Sequence, residues 1–155
     1  MKQGGGVNYL CLPNNPTYGT YVPGRNERRT YIDAVVYGNS FKQPYNLANR
    51  VVHCALCEAE GKSQTLMIPG STQCERDWSL EYTGYIATDG VGRERTEYVC
   101  LDVASRNSSI ISHMRGTVGS LDVVSVKCMD GILPCGGARG QFKEDTSLSC
   151  VVCSR

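Results

Sequence analysis

Hydrophobic and polar residues alternate along this chain in short segments, and no window shows the apolar spacing of three and four residues that an amphipathic helix requires. The segments are rich in tyrosine, valine and threonine, and glycine, proline, asparagine and serine separate them. This pattern predicts a mostly β protein. The predicted strands are Val7–Leu12, Tyr31–Tyr37, Arg50–Glu58, Gln64–Ile68, Leu80–Thr88, Glu97–Val103, Gly119–Lys127 and Leu148–Cys153.

The order of short motifs indicates an internal repeat. Residues 8–12, Asn-Tyr-Leu-Cys-Leu, are similar to residues 97–101, Glu-Tyr-Val-Cys-Leu. A branched apolar residue lies 21 residues after each cysteine, and an aspartate follows it, Asp33 in one case and Asp122 in the other. We interpret these aspartates as a turn or backbone contact common to both copies, because short carboxylates readily bond to nearby backbone groups.

Each predicted repeat ends in a Cys-x-x-Cys motif, residues 54–57 in the first and 150–153 in the second. The interval from the cysteine of the opening motif to this closing motif is 43 residues in the first repeat and 50 in the second. Cys128 and Cys135 lie seven residues apart inside the longer interval. Their spacing predicts an extra hairpin near 128–135 that is closed by its own disulfide.

The cysteine spacing also predicts that the first repeat is N-terminally incomplete. Cys74 precedes Cys100 by 26 residues, so its counterpart would lie about 15 residues before Met1. A missing counterpart accounts for the odd total of nine cysteines. The predicted organisation is one duplicated domain, 1–155, with a first repeat at 1–57 and a second repeat at 58–155.

Composition restricts the compartment and the partners. Nine cysteines in 155 residues are typical of secreted, extracellular proteins, because reducing compartments seldom retain so many outside metal or redox sites. Residues 1–6 contain no apolar signal segment. A formal net charge of +1 provides no field for nucleic acid, and no apolar run approaches the roughly 20 residues of a membrane helix. We therefore expect neither nucleic-acid binding nor membrane insertion.

Five short motifs follow one another along the chain: Gly4–Pro13 (GGGVNYLCLP), Leu66–Pro69 (LMIP), Tyr82–Tyr85 (YTGY), Glu97–Cys100 (EYVC) and Cys150–Cys153 (CVVC). Together they resemble the C-terminal domain of spongin-type short-chain collagens. Residues 54–85 are also similar to the junction between the two subdomains of the type IV collagen C-terminal non-collagenous domain. The resemblance implies an internally duplicated, disulfide-braced β fold that terminates, trimerises or networks a collagen-like chain. No Gly-x-y run is present, so the triple helix itself is absent.

Residue spacing leaves many disulfide connectivities open, and the resemblance selects among them. Such bridges stabilise a fold by roughly 3–4 kcal/mol each in the chain-entropy model. The disulfide order of the type IV domain, carried over to this chain, implies the bridges Cys11–Cys54, Cys74–Cys153, Cys100–Cys150 and Cys128–Cys135. Cys57 then has no partner, and we expect a free thiol there or a bridge to another chain.

Other chemistry has less support in the sequence. The two Cys-x-x-Cys motifs also fit a four-thiolate zinc site or a redox pair, but the duplication accounts for both as structural bridges. Neither His53 nor His113 accompanies a nucleophile motif such as Gly-x-Ser-x-Gly. We therefore expect no catalytic residue, no metal and no cofactor.

Two surface features remain as candidate binding or modification sites. Arg25, Arg28 and Arg29 cluster in a predicted loop, and their guanidinium groups suit sulfates or carboxylates of an anionic ligand, although a solvated loop also explains them. Asn107, followed by two serines, is an N-glycosylation acceptor.

The sequence predicts an extracellular structural module without enzymatic activity. By resemblance to the collagen domains, its expected role is oligomerisation or matrix organisation, with itself or other matrix proteins as partners. The alternative is a secreted, lectin-like module that binds glycans or glycosaminoglycans, in which two related copies raise avidity.

Overall fold

The computed structural model describes residues 6–19, 32–93, 95–102, 118–129 and 142–155. The prediction of a mostly β protein is confirmed: six strands and one short 3-10 helix, Asn39–Phe41, are present in these ranges. The strands are β1 (Val35–Tyr37), β2 (Thr65–Pro69), β3 (Ser79–Thr88), β4 (Val99–Leu101), β5 (Gly119–Val123) and β6 (Ser149–Ser154).

All six strands belong to one mixed sheet with the order β1-β5-β3-β6-β2, and β4 pairs with β3 outside this path. β1 and β5 are parallel, whereas every other pair is antiparallel. β3 is the longest strand, with 10 residues, and it pairs with β4, β5 and β6. β3 therefore connects the parallel part of the sheet to the antiparallel part.

Gly84, in β3, lies beside the backbones of two neighbouring strands. It faces Cys150 of β6, and a Cβ atom at this position would overlap the carbonyl oxygen of Leu101 on β4. Because the obstructing atom belongs to the backbone, it cannot move aside as a flexible side chain would. The approach of β4 to β3 therefore depends on glycine at this position.

The hydrophobic core consists of two clusters on the sheet. In the first, Tyr37 and Phe41 pack edge to face with ring centroids 5.3 Å apart, and Leu47, Ala87 and Leu121 complete the buried set. The second contains Ile86, Cys100 and Cys150. The 3-10 helix thus brings Phe41, which is fully buried, onto the parallel strand pair.

Two predicted strands are wrong. Residues 7–12 contain no strand, and in 50–58 only Arg50 and Val51 form isolated bridges, the second of them to Val36. A strand requires a partner that completes its backbone hydrogen bonds. In the described part of the chain these segments make too few such bonds: residues 50–52 bond to 35–37, and the Val7 carbonyl accepts from Glu97 N. Alternation of side chains cannot reveal that the pairing stops there.

Two loops of the chain close with the same backbone hydrogen bonds. Val36 bridges Val51, and Ser125 bridges Ser147, in both cases antiparallel. Val36 and Ser125 each lie 25 residues after the cysteine of their opening motif, Cys11 or Cys100. Three backbone hydrogen bonds surround each bridge, and they correspond one to one. Tyr37 N donates to Arg50 O as Val126 N donates to Thr146 O, and Asn49 N donates to Tyr37 O as Asp145 N donates to Val126 O. Val52 N donates to Val35 O as Leu148 N donates to Val124 O.

The corresponding turn residues also have the same backbone conformation. Asn49 has φ of 63° and Asp145 has φ of 55°. Asparagine and aspartate are the non-glycine residues that adopt this left-handed region most readily. The agreement therefore extends from hydrogen bonds to the residue class that each turn requires.

We predict that Gly84→Ala destabilises the fold by about 1–3 kcal/mol, because the added methyl group forces β4 away from β3. Denaturant unfolding under non-reducing conditions measures the change. The matched control is Gly119→Ala, where the new Cβ meets only the Val35 side chain at 3.5 Å and the change should stay below about 0.5 kcal/mol. Equal effects at both positions would contradict this account.

Candidate assembly surface

Three disulfides cross-link the described residues. They join Cys11 to Cys54, Cys74 to Cys153 and Cys100 to Cys150, with Cα–Cα distances of 5.7, 5.9 and 5.7 Å. These are three of the pairs that the collagen resemblance implies. Cys128 is also disulfide-bonded, and Cys135, its expected partner, lies outside the described residues.

The Cys11–Cys54 bridge leads directly into residues 53–58, which we call the open segment. All six of its residues are exposed, and Leu56 retains 96% of its accessible surface. No backbone hydrogen bond joins the open segment to any other residue in the described ranges. Cys57, within it, is a free and exposed cysteine.

The open segment corresponds in position to β6. Cys54 and Cys150 each bridge back to the cysteine of an opening motif, and the preceding residues belong to the two loops with matching bonds. Their surroundings are opposite, because Cys150, Val151, Cys153 and Ser154 are fully buried between β2 and β3. The chain that follows one closed loop is therefore a central strand, whereas the chain that follows the other is exposed and unpaired within the described residues.

The disulfides also bear on the four-thiolate zinc alternative. Of the four cysteines in the two Cys-x-x-Cys motifs, Cys54, Cys150 and Cys153 are in disulfides and only Cys57 is free. A disulfide sulfur cannot supply the thiolate that zinc requires. Among the described residues, no group of three or more His, Cys, Asp or Glu side chains is placed to hold a metal ion.

Tyr82, a residue of β3, donates a hydrogen bond of 3.0 Å from its hydroxyl to the Cys100 carbonyl. Burial, followed by the charges of Asp102 and Cys57, raises the pKa of the Tyr82 phenol. Tyr9, near the opening motif, shows the same direction: burial raises its pKa and outweighs the hydrogen bond to Thr96. Both phenols thus stay neutral well above neutral pH.

A second feature is a cleft of about 510 Å³ beside the parallel strand pair, lined by both polar and apolar residues. On one side, Asp122 accepts hydrogen bonds from the Ser40 backbone and hydroxyl at 3.0 and 2.8 Å. The Asp122 carboxylate lies so close to Gly38 that a side chain there would collide with it. Further polar residues that sequence reasoning did not identify also line the cleft: Asn39, Asn49, Arg93 and Ser120.

The other side of the cleft is fixed by Asp89. Its carboxylate accepts hydrogen bonds from the Ser120 backbone and hydroxyl at 3.2 and 3.0 Å and lies 3.7 Å from Arg93 Nε. Arg93 also donates to the Val118 carbonyl at 2.7 Å. These bonds join residues up to 31 positions apart, so no local sequence motif could have predicted the cleft.

Some of the remaining predicted site residues lie within the described ranges and others lie outside them. Asp122 makes the backbone contact expected of it, but Asp33 is exposed, so the two aspartates do not have equivalent surroundings. Arg25, Arg28, Arg29 and Asn107 lie outside the described residues, and so does His113.

No protein-family model and no solved structure matches the chain. The collagen resemblance therefore stays a prediction from the sequence motifs. Within the described ranges, no helix has the length and apolar character needed to cross a membrane.

We predict that the protein loses stability as the pH rises from about 10 to about 12. A hydrogen bond to Tyr85, followed by burial, raises the pKa of Tyr45 from 10.0 to about 12. The unfolded chain therefore releases this proton first, and ionisation favours unfolding in that window. Denaturant unfolding at a series of pH values measures it, and Tyr45→Phe should flatten the alkaline slope. An unchanged slope in that variant would contradict the assignment to Tyr45.

Proposed function

We propose that this protein is an extracellular assembly module without catalytic activity, built by internal duplication and similar to the terminal domain of short-chain collagens. Its role is to associate with copies of itself or with other matrix proteins. The three disulfides support an oxidising compartment, because glutathione and thioredoxin reduce such bridges in the cytosol.

The duplication has support from backbone geometry as well as from motifs. Two loops that lie far apart in the sequence close with corresponding hydrogen bonds and isolated bridges. The interval between bridged cysteines is 43 residues in one and 50 in the other. The extra residues thus lie in the connecting chain and not in the bonded closure, as expected for an insertion into one copy.

The open segment is the observation that carries the assembly role. An exposed stretch with unpaired backbone groups is a template for pairing with another chain. Here it also contains the free, exposed Cys57 and the almost fully exposed Leu56. Association covers this apolar surface and pairs the backbone groups together.

We predict a disulfide-linked dimer through Cys57 when the protein is refolded with reduced and oxidised glutathione, because the exposed thiol has no partner within its own chain. Non-reducing electrophoresis and light scattering measure the dimer. Cys57→Ser should abolish the reducible dimer and leave the intrachain bridges intact. A monomer in which Cys57 alkylates fully would contradict the prediction.

The cleft beside the parallel strand pair favours a second candidate function, glycan binding. Its lining combines amide, hydroxyl, carboxylate and guanidinium groups from Asn39, Ser40, Asp122 and Arg93. Such groups hydrogen-bond sugar hydroxyls, and the bonds that Asp89 and Asp122 already accept hold the lining in place.

For this second candidate, we predict binding on a glycan array that Asn39→Ala weakens by roughly two- to tenfold, the effect of losing about one hydrogen bond. The Asn39 side chain is exposed at the cleft, so its removal should leave the fold intact. Lys143→Ala, at an exposed position outside the cleft lining, is the control. No binding at high protein concentration would rule out this function.

A further inference from the structure

The correspondence between the open segment and β6 shows what is able to cover the open segment. β6 pairs with β3 so that Gly84 faces Cys150 and Leu80 faces Cys153. Transferred to the open segment, these positions face Cys54 and Cys57. A strand of the same character would cover six exposed residues whose counterparts in β6 are mostly buried.

The other edge of such a strand also has a counterpart. β3 pairs with β4, where Ile86 faces Cys100, and β4 corresponds to residues 10–12 around Cys11. Leu10 and Leu12 keep 60% and 54% of their accessible surface. Residues 10–12 and the open segment are joined by the Cys11–Cys54 bridge, as β4 and β6 are joined by Cys100–Cys150.

We propose that residues 10–12 and the open segment form an acceptor for one extended strand supplied by a different polypeptide chain. The donor strand has the pattern Cys-x5-apolar-x3-Gly, which places its glycine opposite Cys54 and its apolar residue opposite Cys57. This pattern is that of Cys74, Leu80 and Gly84. The inference rests on the proposed assembly function and names the chemistry of the partner.

Glycine is the specificity element of the donor. In the described fold, β4 approaches β3 so closely at Gly84 that the Leu101 carbonyl occupies the space of a side chain. The corresponding bridge, Cys11–Cys54, has the same Cα–Cα distance of 5.7 Å as Cys100–Cys150. A donor with a larger residue at this position therefore clashes with the acceptor.

The donor cysteine adds a covalent step. In the second half, the cysteine six residues before Leu80 bonds to Cys153, and Cys57 is the residue that corresponds to Cys153. When the donor cysteine is held as a mixed disulfide, the Cys57 thiolate attacks the donor sulfur and the original partner leaves as a thiol. One disulfide breaks as one forms, so no further oxidant is required.

The test uses the full chain and a synthetic copy of residues 70–88 in which Cys74 is replaced by serine. We expect the peptide to bind and to slow amide hydrogen exchange in residues 10–12 and 53–58. The matched control peptide carries Gly84→Val in addition and should bind at least roughly tenfold more weakly. Equal binding of the two peptides would overturn the proposal. So would protection that appears instead at the free edge of β2, residues 65–69.

A covalent version of the test shows whether the donor cysteine is held next to Cys57. The peptide that keeps Cys74, activated as a thiopyridyl disulfide, should label Cys57 and release thiopyridone faster than its Gly84→Val form does. Equal labelling rates would show mere thiol exposure and overturn templated binding. Cys57→Ser should remove the label and keep the amide protection by the serine peptide.

Failure of this inference and failure of the assembly function give different results. A protein that dimerises without protecting residues 53–58 or binding the peptide retains the assembly function and loses the strand acceptor. A monomer that binds the peptide with the expected protection retains the strand acceptor and loses the assembly function. If Cys57→Ser protein self-associates and protects residues 53–58 without peptide, a second copy occupies the site and the donor proposed here is wrong.

Discussion

The pairing of β6 between β2 and β3 is the constraint on which the rest of this structure depends. Both cysteines of β6 are fully buried and bonded, Cys150 to β4 and Cys153 to Cys74, which lies before β3. Each bridge contributes about 4 kcal/mol in the chain-entropy model for loops of this length. The position of β4 then follows, because Gly84 leaves room for its backbone beside β3.

The two loops close with the same backbone hydrogen bonds although they differ in length. The bonded closures correspond atom by atom in the backbone, although the cysteine intervals are 43 and 50 residues. The entropy of closing a loop changes only with the logarithm of its length. The difference in burial between the open segment and β6 therefore reflects the neighbouring strands rather than the local conformation.

Sequence alone predicted the parts of the fold that depend on local pattern. Alternation identified the strands at 65–69 and 79–88 within one or two residues at each end because both carry their partners within the described chain. It failed at 7–12 and 50–58, where the same alternation meets only a few backbone hydrogen bonds and no complete partner strand among the described residues. The parallel pairing of β1 with β5 also escaped detection, since side-chain period does not encode which strands meet.

Sequence reasoning also predicted one part of the candidate site and missed another. The free thiol of Cys57 was predictable from the cysteine spacing and the collagen resemblance, because the disulfide order that the resemblance implies gives every other cysteine a partner. The cleft was not, because its central bonds join Ser40 to Asp122, 82 residues apart. Gly84 stood in a motif, but its steric role became apparent only when β4 was placed beside it.

The arrangement of the disulfides also determines how the molecule responds to mechanical tension. Pulled from its two ends, the chain transmits force across Cys11–Cys54, then along residues 55–73, then across Cys74–Cys153. Strands β3 to β5 lie inside the second bridge and cannot be extended while it is intact. The stretch under tension contains most of the open segment and β2, so a pulled molecule extends there first while most of its sheet stays folded.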